Sequence, residues 1–370
     1  MLTWSELAAR TLARQFPADS ASDDVAGLIG HVGPIQSQTA RSVFLAAAAR
    51  TPGATRAQVT EAYESFAIVR GSNLRGTVHT STAAMHPLLE ATTRIGQRNL
   101  WQRSLRLDEC TLEDVWAGIE EFAADEWRTP AELAEHLHRW LAEHDPGAAP
   151  AFAGDSGRYF AFGHGGLIRR PLKGDWAGQG APGYRTASTV IGDRTAVLAA
   201  PGAAVDALLA RQLRAAGPLS RNDLAWWSGI GLTRVDAALD RLALTAEEGP
   251  DGRRYVDLAD APAPMDLRGV RLLPEFDALF CAFEPAARTR FVDPAHYEVL
   301  WKQQNGQLLA PVLVDDRLHG HWRLDGPAKR RSLTVTLYPG ARRLRAGEFD
   351  EPVRALEAAL GITVAQLVLA

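Results

Sequence analysis

Lysine is nearly absent from this chain. Among 40 basic side chains only Lys173, Lys302 and Lys329 carry an ammonium group, and the rest are arginine. A covalent mechanism through a lysine Schiff base therefore has few candidate nucleophiles. Cysteine is as sparse: Cys110 and Cys281 lie far apart and at no metal-ligand spacing, which removes support for zinc ribbons, iron–sulfur clusters and disulfide frameworks. A reducing, cytoplasmic compartment is the expectation. No apolar run is long enough to span a bilayer, since even Ala196 to Ala210 is broken by Pro201 and Asp206. A signal peptide is not expected either, because Thr3 and Glu6 make a capping box ahead of Leu7, Leu12 and Phe16, as an ordinary amphipathic helix begins. Nor is one sign of charge in large excess. A net charge of −4 speaks against a uniformly basic nucleic-acid binder but leaves room for one positive face.

What is present is enough hydrophobic material, 46% of 370 residues with 23% charged, for two or three ordinary cores. The arginine bias has two readings, codon usage in a GC-rich genome or guanidinium forks for phosphate. Patterning predicts an α+β chain, mainly helical, of three tandem winged-helix units and a C-terminal region. The first unit (1–106) reads as helices near 3–15, 22–30, 39–50 and 56–66, with Thr39 as N-cap of the third. A hairpin follows, with its turn at Gly71-Ser72-Asn73 and a strand from Leu74 to His79. The second (107–200) starts after a linker near Leu107. Thr111 with Asp114 and Thr129-Pro130 with Glu132 cap two helices, Gly157 to Ile168 reads as short strands, and Gly163 to Tyr184 as an irregular loop ordered by ligand. In the third (201–262), Ser220 and Asp223 cap one helix, Gly229 to Gly231 makes a turn, and Thr233 caps a helix through Leu244. Pro250-Asp251-Gly252 then turns a hairpin. Asp236 and Asp240 make that last helix a poor groove reader. The final region (263–370) pairs Gln307 to Val314 with Leu318 to Leu324 around Asp315-Asp316-Arg317 and closes with a helix over Pro352 to Leu360.

Several motif matches fail. Gly178-Gln179-Gly180-Ala181-Pro182-Gly183 fits GxGxxG but follows no strand and has proline where a helix should open. Gly154-Asp155-Ser156-Gly157 lacks the His and Asp of a serine protease. His319 and His321 share a strand face without a third ligand at a recognisable spacing, so no metal and no cofactor is expected. His136 and His138 read as surface groups. The segment His31 to Arg41 is different: Pro34 keeps Gly33 out of helix and Thr39 reads as the N-cap of the next one, which leaves Gln36 and Gln38 extended just before that helix, at i and i+2 on one side of the chain. Read alone, they are either two solvated glutamines or a site.

The run Ile35-Gln36-Ser37-Gln38-Thr39-Ala40-Arg41 resembles the Gln-x-Gln motif of the AlkZ-like DNA glycosylases, whose sister group, YcaQ-like, carries Gln-x-Asp. Leu74-Arg75-Gly76-Thr77-Val78-His79, Arg221 to Gly229, Leu273-Pro274-Glu275-Phe276-Asp277 and Leu309 to Arg323 extend the likeness over nearly the whole chain. Ser37 departs from the small or aliphatic residue of the motif's middle position. The resemblance implies winged helices curved into a C-shaped channel, Gln36 and Gln38 as catalytic residues on its inner surface, and a late hairpin that probes the duplex. The implied reaction is hydrolysis of N7-alkylated purines, bulky adducts and interstrand crosslinks in double-stranded DNA, as self-resistance to an alkylating natural product. A cofactor-free monomer without lyase activity is expected. Arg41, Arg75, Lys302, Arg317 and Arg323 are the expected DNA contacts. Two other readings share the architecture: a winged-helix transcription regulator, and a toxin-sequestering protein using Trp176, Trp226 and Trp227.

Overall fold

The computed structural model describes residues 1–17, 24–152, 155–178, 180–302, 306–327 and 329–370, with backbone alone for 155–158 and 302. The fold is α+β. Helices at Trp4–Gln15, Val25–Val32, Ser42–Arg50 and Arg56–Glu64 open it; the expected start of the second at 22 lies outside the described residues. Thr3 and Glu6 form their capping box. Thr39 does not cap. Its carbonyl accepts from Ser42 N–H at 3.1 Å in a turn, and the helix begins only after Arg41. The cause is the strand Ile35–Gln36, which pairs with Val78–Thr82 and keeps the chain extended through Ser37, so residues 38–41 must turn before a helix can start.

The hairpin also differs from its sequence pattern. Strands Ile68–Ser72 and Val78–Thr82 pair as far as Ser72↔Val78, and Leu74–Gly76 is a tight helical turn rather than strand. Leu74 is fully buried in the cluster that holds Leu208 and Leu224, and this anchor draws the backbone out of the ladder, with Arg75 at φ 58° and Gly76 at φ 73°. A 20-residue helix, His86–Leu105, then crosses the molecule.

Capping boxes at Thr111/Asp114 and Thr129/Glu132 start Leu112–Phe122 and Pro130–His144 as the sequence predicts. Beyond them Asp155–Phe162 is helix, not strand. The supposed loop contains two strands, Leu167–Pro171 and Pro182–Thr186. The first of these pairs with Ile68–Ser72 as well as with the second, so one five-stranded sheet runs Ile35–Gln36, Val78–Thr82, Ile68–Ser72, Leu167–Pro171, Pro182–Thr186. Half-satisfied strand edges are completed by chain from a distant stretch of sequence.

After the helix Pro201–Ala216 come Arg221–Ser228, with its Ser220/Asp223 capping box, and Leu232–Leu239. Gly231 rather than Thr233 precedes the latter, and it stops at Leu239 because Leu244–Glu248 is taken by the hairpin with Arg254–Leu258. Asp236 is neutralised by Arg221. The C-terminal sheet curls into a five-strand half-barrel in the order Thr363–Leu369, Arg330–Leu337, Arg317–Asp325, Ala310–Val314, Val270–Leu272, covered by the helix Asp350–Leu360. The hairpin Ala310–Val314/Arg317–Asp325 turns at Asp315-Asp316 and is laddered on both outer edges, which makes it the middle of this sheet. Among the described residues, no helix is long and apolar enough to cross a membrane.

The cores do not follow chain order. Ala8, Leu12 and Phe16 of the first helix pack with Leu208, Leu213 and Leu279, whereas Val43, Phe44 and Leu45 pack with Val312, Trp322 and Val335 of the half-barrel.

Candidate active site

Gln36 closes the short strand Ile35–Gln36 and lies opposite His79 in the register; two residues on, Gln38 is exposed. Each carboxamide oxygen accepts one hydrogen bond from a group that can only donate. Gln38 Oε1 takes Val78 N–H at 3.1 Å, and Gln36 Oε1 takes Arg75 Nη2 at 3.2 Å. A pure donor facing an amide admits the oxygen and repels the NH2, so both side chains are held in one sense. Each oxygen keeps a second lone pair.

Ser37 points the other way. It is buried, its Oγ lies 2.9 Å from Thr80 Oγ1, and that atom lies 2.8 Å from the Tyr63 hydroxyl. Arg70 Nη2 donates to the Ser37 carbonyl at 2.6 Å, and burial pulls the Arg70 guanidinium down to about 10. The polar residue in the middle of the motif thus has polar partners, which tie it to the adjacent strand Val78–Thr82 through Thr80 and to the next one, Ile68–Ser72, through Arg70. Ser37→Ala is expected to cost about 1 kcal/mol of stability, read as a lower urea midpoint with an unchanged slope.

A small cavity of about 20 Å³ beside Gln36 is lined by Arg75, His79, Trp227, Phe276 and Cys281, among others. It is the size of one water molecule. Arg75 and Phe276 both have left-handed backbones, at φ 58° and 62°, the kind of local strain that the surrounding structure must hold in place. His79 is buried, lies 3.1 Å from the Thr77 carbonyl through Nδ1, and is pushed down to about 3, by burial first and the Arg75 charge second. The imidazole is neutral at working pH. Burial likewise raises the Cys281 thiol to about 11, so it stays protonated.

An unfolded histidine titrates near 6.5. A folded value near 3 means that the unfolded chain binds more protons between these limits, so the contribution is intact above about pH 6.5 and is lost as pH falls toward 3. Burial lowers His86 and His164 as well. The melting temperature should therefore already fall between pH 6.5 and 5, above the range where unfolded carboxylates titrate; a flat profile there would contradict neutral buried histidines.

The expected DNA contacts lie in different settings. Arg41, in the turn after the motif, pairs with Glu275. Arg75 is drawn inward, bonded to Gln36 and to the Trp227 carbonyl. Arg317 is half-buried, 3.5 Å from the Thr289 carbonyl, and Arg323 is exposed and 2.7 Å from Asp325. Lys302 stands in the two-residue strand Trp301–Lys302, and its side chain lies outside the described residues. Trp176 stacks on Tyr63 at 4.3 Å and Trp227 lies in a separate cluster, while Trp226 is exposed. His321 Nδ1 lies 3.1 Å from the Tyr338 hydroxyl. His136 is half-buried, stacked on Phe122 at 4.1 Å, rather than a surface group.

Sequence reasoning missed three components: His79, Arg70 and the buried pair Arg50–Asp277, whose atoms meet at 2.9 Å. The first lies in the segment 74–79 that the resemblance already singles out, whereas Ile68–Ser72 is buried at every position and nothing local marks Arg70. The third joins residues 227 positions apart and leaves no local pattern.

A family model described as DNA glycosylase AlkZ-like matches residues 29–361. The fold is similar to that of the Streptomyces sahachiroi DNA glycosylase AlkZ, with a TM-score of 0.79 at 17% identity over 100% of both chains. No curated protein matches the sequence.

Proposed function

The chain belongs to the AlkZ-like DNA glycosylase family, and from that premise we propose that it hydrolyses the N-glycosidic bond of N7-alkylated purines, bulky adducts and interstrand crosslinks included, leaving an abasic site. The observation that carries this reading is the pair of fixed carboxamides at Gln36 and Gln38, each with one oxygen lone pair to spare.

A carboxamide cannot take up a proton at neutral pH, so the pair would serve poorly where water must be deprotonated or a leaving group protonated. An N7-alkylguanine needs neither. It is already cationic and departs as a neutral base, and the sugar becomes oxocarbenium-like. Two oriented oxygens then place the attacking water and turn partial negative charge toward that sugar. The neutral His79 adds no further positive charge to the site. Neutral lesions such as uracil lack this built-in activation and should be poor substrates.

The proposal includes winged-helix units over 1–106, 107–200 and 201–262, followed by the region 263–370, acting as a monomer in self-resistance to an alkylating natural product. Arg41, Lys302, Arg317 and Arg323 are proposed to contact the duplex. Phosphate must compete there with Glu275 for Arg41 and with Asp325 for Arg323.

A single-turnover assay tests the reading on duplexes holding one N7-methylguanine, one bulkier N7 adduct or one uracil. Release of the two alkylated bases, with strand breaks only after hot alkali and little uracil release, is the expected result. Tight DNA binding with no release from either N7 lesion would overturn it in favour of a DNA-binding regulator.

A further inference from the structure

Arg75 has an unusual position for a side chain meant to meet DNA. Its backbone is left-handed, at φ 58°, in the turn between two strands, and its guanidinium points back into the protein. One nitrogen donates to Gln36 Oε1 at 3.2 Å and another donates to the carbonyl of Trp227. That carbonyl belongs to the last turn of the helix Arg221–Ser228, where backbone acceptors have no partner within the helix and the helix dipole favours a cation. The path of the side chain is kept open by Gly229. This residue ends the helix at φ 75°, and a Cβ there would lie 3.2 Å from Arg75 Cγ.

We infer that Arg75 is the positioning residue of Gln36, holding its carboxamide in one sense and fastening it to the Arg221–Ser228 helix, rather than a phosphate contact. The inference rests on the glycosylase reading. A primary amide has two nearly isosteric ends, and an unrestrained glutamine would present oxygen or NH2 to the sugar almost equally well. A guanidinium has five donors and no acceptor, so beside it only the oxygen is tolerated. Its second donor, on the Trp227 carbonyl, stops the guanidinium itself from swinging away. The site thus depends on residues 36, 75 and 227, which come from three separate stretches of chain.

A double-mutant cycle separates positioning from phosphate binding. Arg75→Ala and Arg75→Lys are made in the wild-type, Gln36→Ala and Gln38→Ala backgrounds, with single-turnover release of N7-methylguanine and salt-dependent affinity for intact duplex as readouts. Loss of an orienting partner typically costs about 10–100-fold, and that loss is expected for Arg75→Ala in the wild-type background, with none added in Gln36→Ala and the full factor retained in Gln38→Ala. Duplex affinity and its salt slope should not change. Arg75→Lys, with a point charge instead of a fork, should recover only part of the rate, and it carries the cycle if the alanine variant does not fold. If the rate factor persists in Gln36→Ala, or the salt slope drops by about 1 as for a lost phosphate contact, the inference is overturned. Absence of base release by the wild type would instead sink the glycosylase reading itself, so the two failures are distinguishable.

Discussion

Asp277→Ala should lower folding stability by about 3–5 kcal/mol, the cost of leaving one member of a buried ion pair without its partner. Asp277 receives both terminal nitrogens of Arg50 at 2.9 Å, and the two side chains are each 2% exposed. Arg50 also donates to Gln15 Oε1 at 2.9 Å and sits over the Phe16 ring. Removing the carboxylate strands a guanidinium at the junction of the first helix, the motif helix Ser42–Arg50 and the segment leading to Phe276. Asp277 Oδ1 also caps Leu279 N–H at 3.0 Å, so Asp277→Asn, which keeps an acceptor, should lose less. Urea unfolding measures both variants. Removal of the exposed Arg323–Asp325 pair serves as the contrast and should change stability little. A loss as small as that for Asp277→Ala would mean that Arg50 finds solvent or another acceptor, and the pair would then not be what joins the N-terminal helices to the C-terminal half.

Gln36→Ala and Gln38→Ala should each slow release of N7-methylguanine by about 10²–10³, the usual effect of deleting one preorganised electrostatic group, with duplex affinity retained. The folding consequences differ. Gln38 is exposed, so water can take over the Val78 N–H; Gln36 leaves behind a half-buried guanidinium that keeps its bond to Trp227. Gln36→Ala should therefore be the less stable protein of the two, while both lose rate. Equal loss of affinity and rate in either variant would show that the glutamine binds DNA instead of serving the chemistry.

Much of the fold was legible where a few neighbouring residues decide the outcome. The boxes Thr3/Glu6, Thr111/Asp114, Thr129/Glu132 and Ser220/Asp223 all form at the expected helix starts, and the turns at Pro250-Asp251-Gly252 and Asp315-Asp316 both close hairpins. The long helix His86–Leu105 was not legible, because its buried positions include Glu90, Thr92, Thr93 and Gln97. An apolar stripe, the sequence signal of a helix, is missing there. Glu90 is buried because Arg94 and Arg194 both reach it at 2.6 Å, and the second of these partners could not be read from the helix itself.

Pro34 likewise made the extended stretch Ile35-Gln36-Ser37 visible, but Gln38 already belongs to the turn that the failed Thr39 cap did not foresee, and what each glutamine side chain would meet was not legible. The sequence by itself determined where the helices with capping boxes begin, where the turns at Pro250-Asp251-Gly252 and Asp315-Asp316 fall and which short motif the chain carries, since capping, proline and glycine act over four residues or fewer. Tertiary structure alone decided that strands from two expected units share one sheet, that Arg75 turns inward to Gln36, and that Arg50 finds Asp277. Closing a long loop costs little more than closing a medium one, so partners 40 or 200 residues away compete almost equally. The choice among them falls to burial, where a charged or polar group stays only if a matching group is already there.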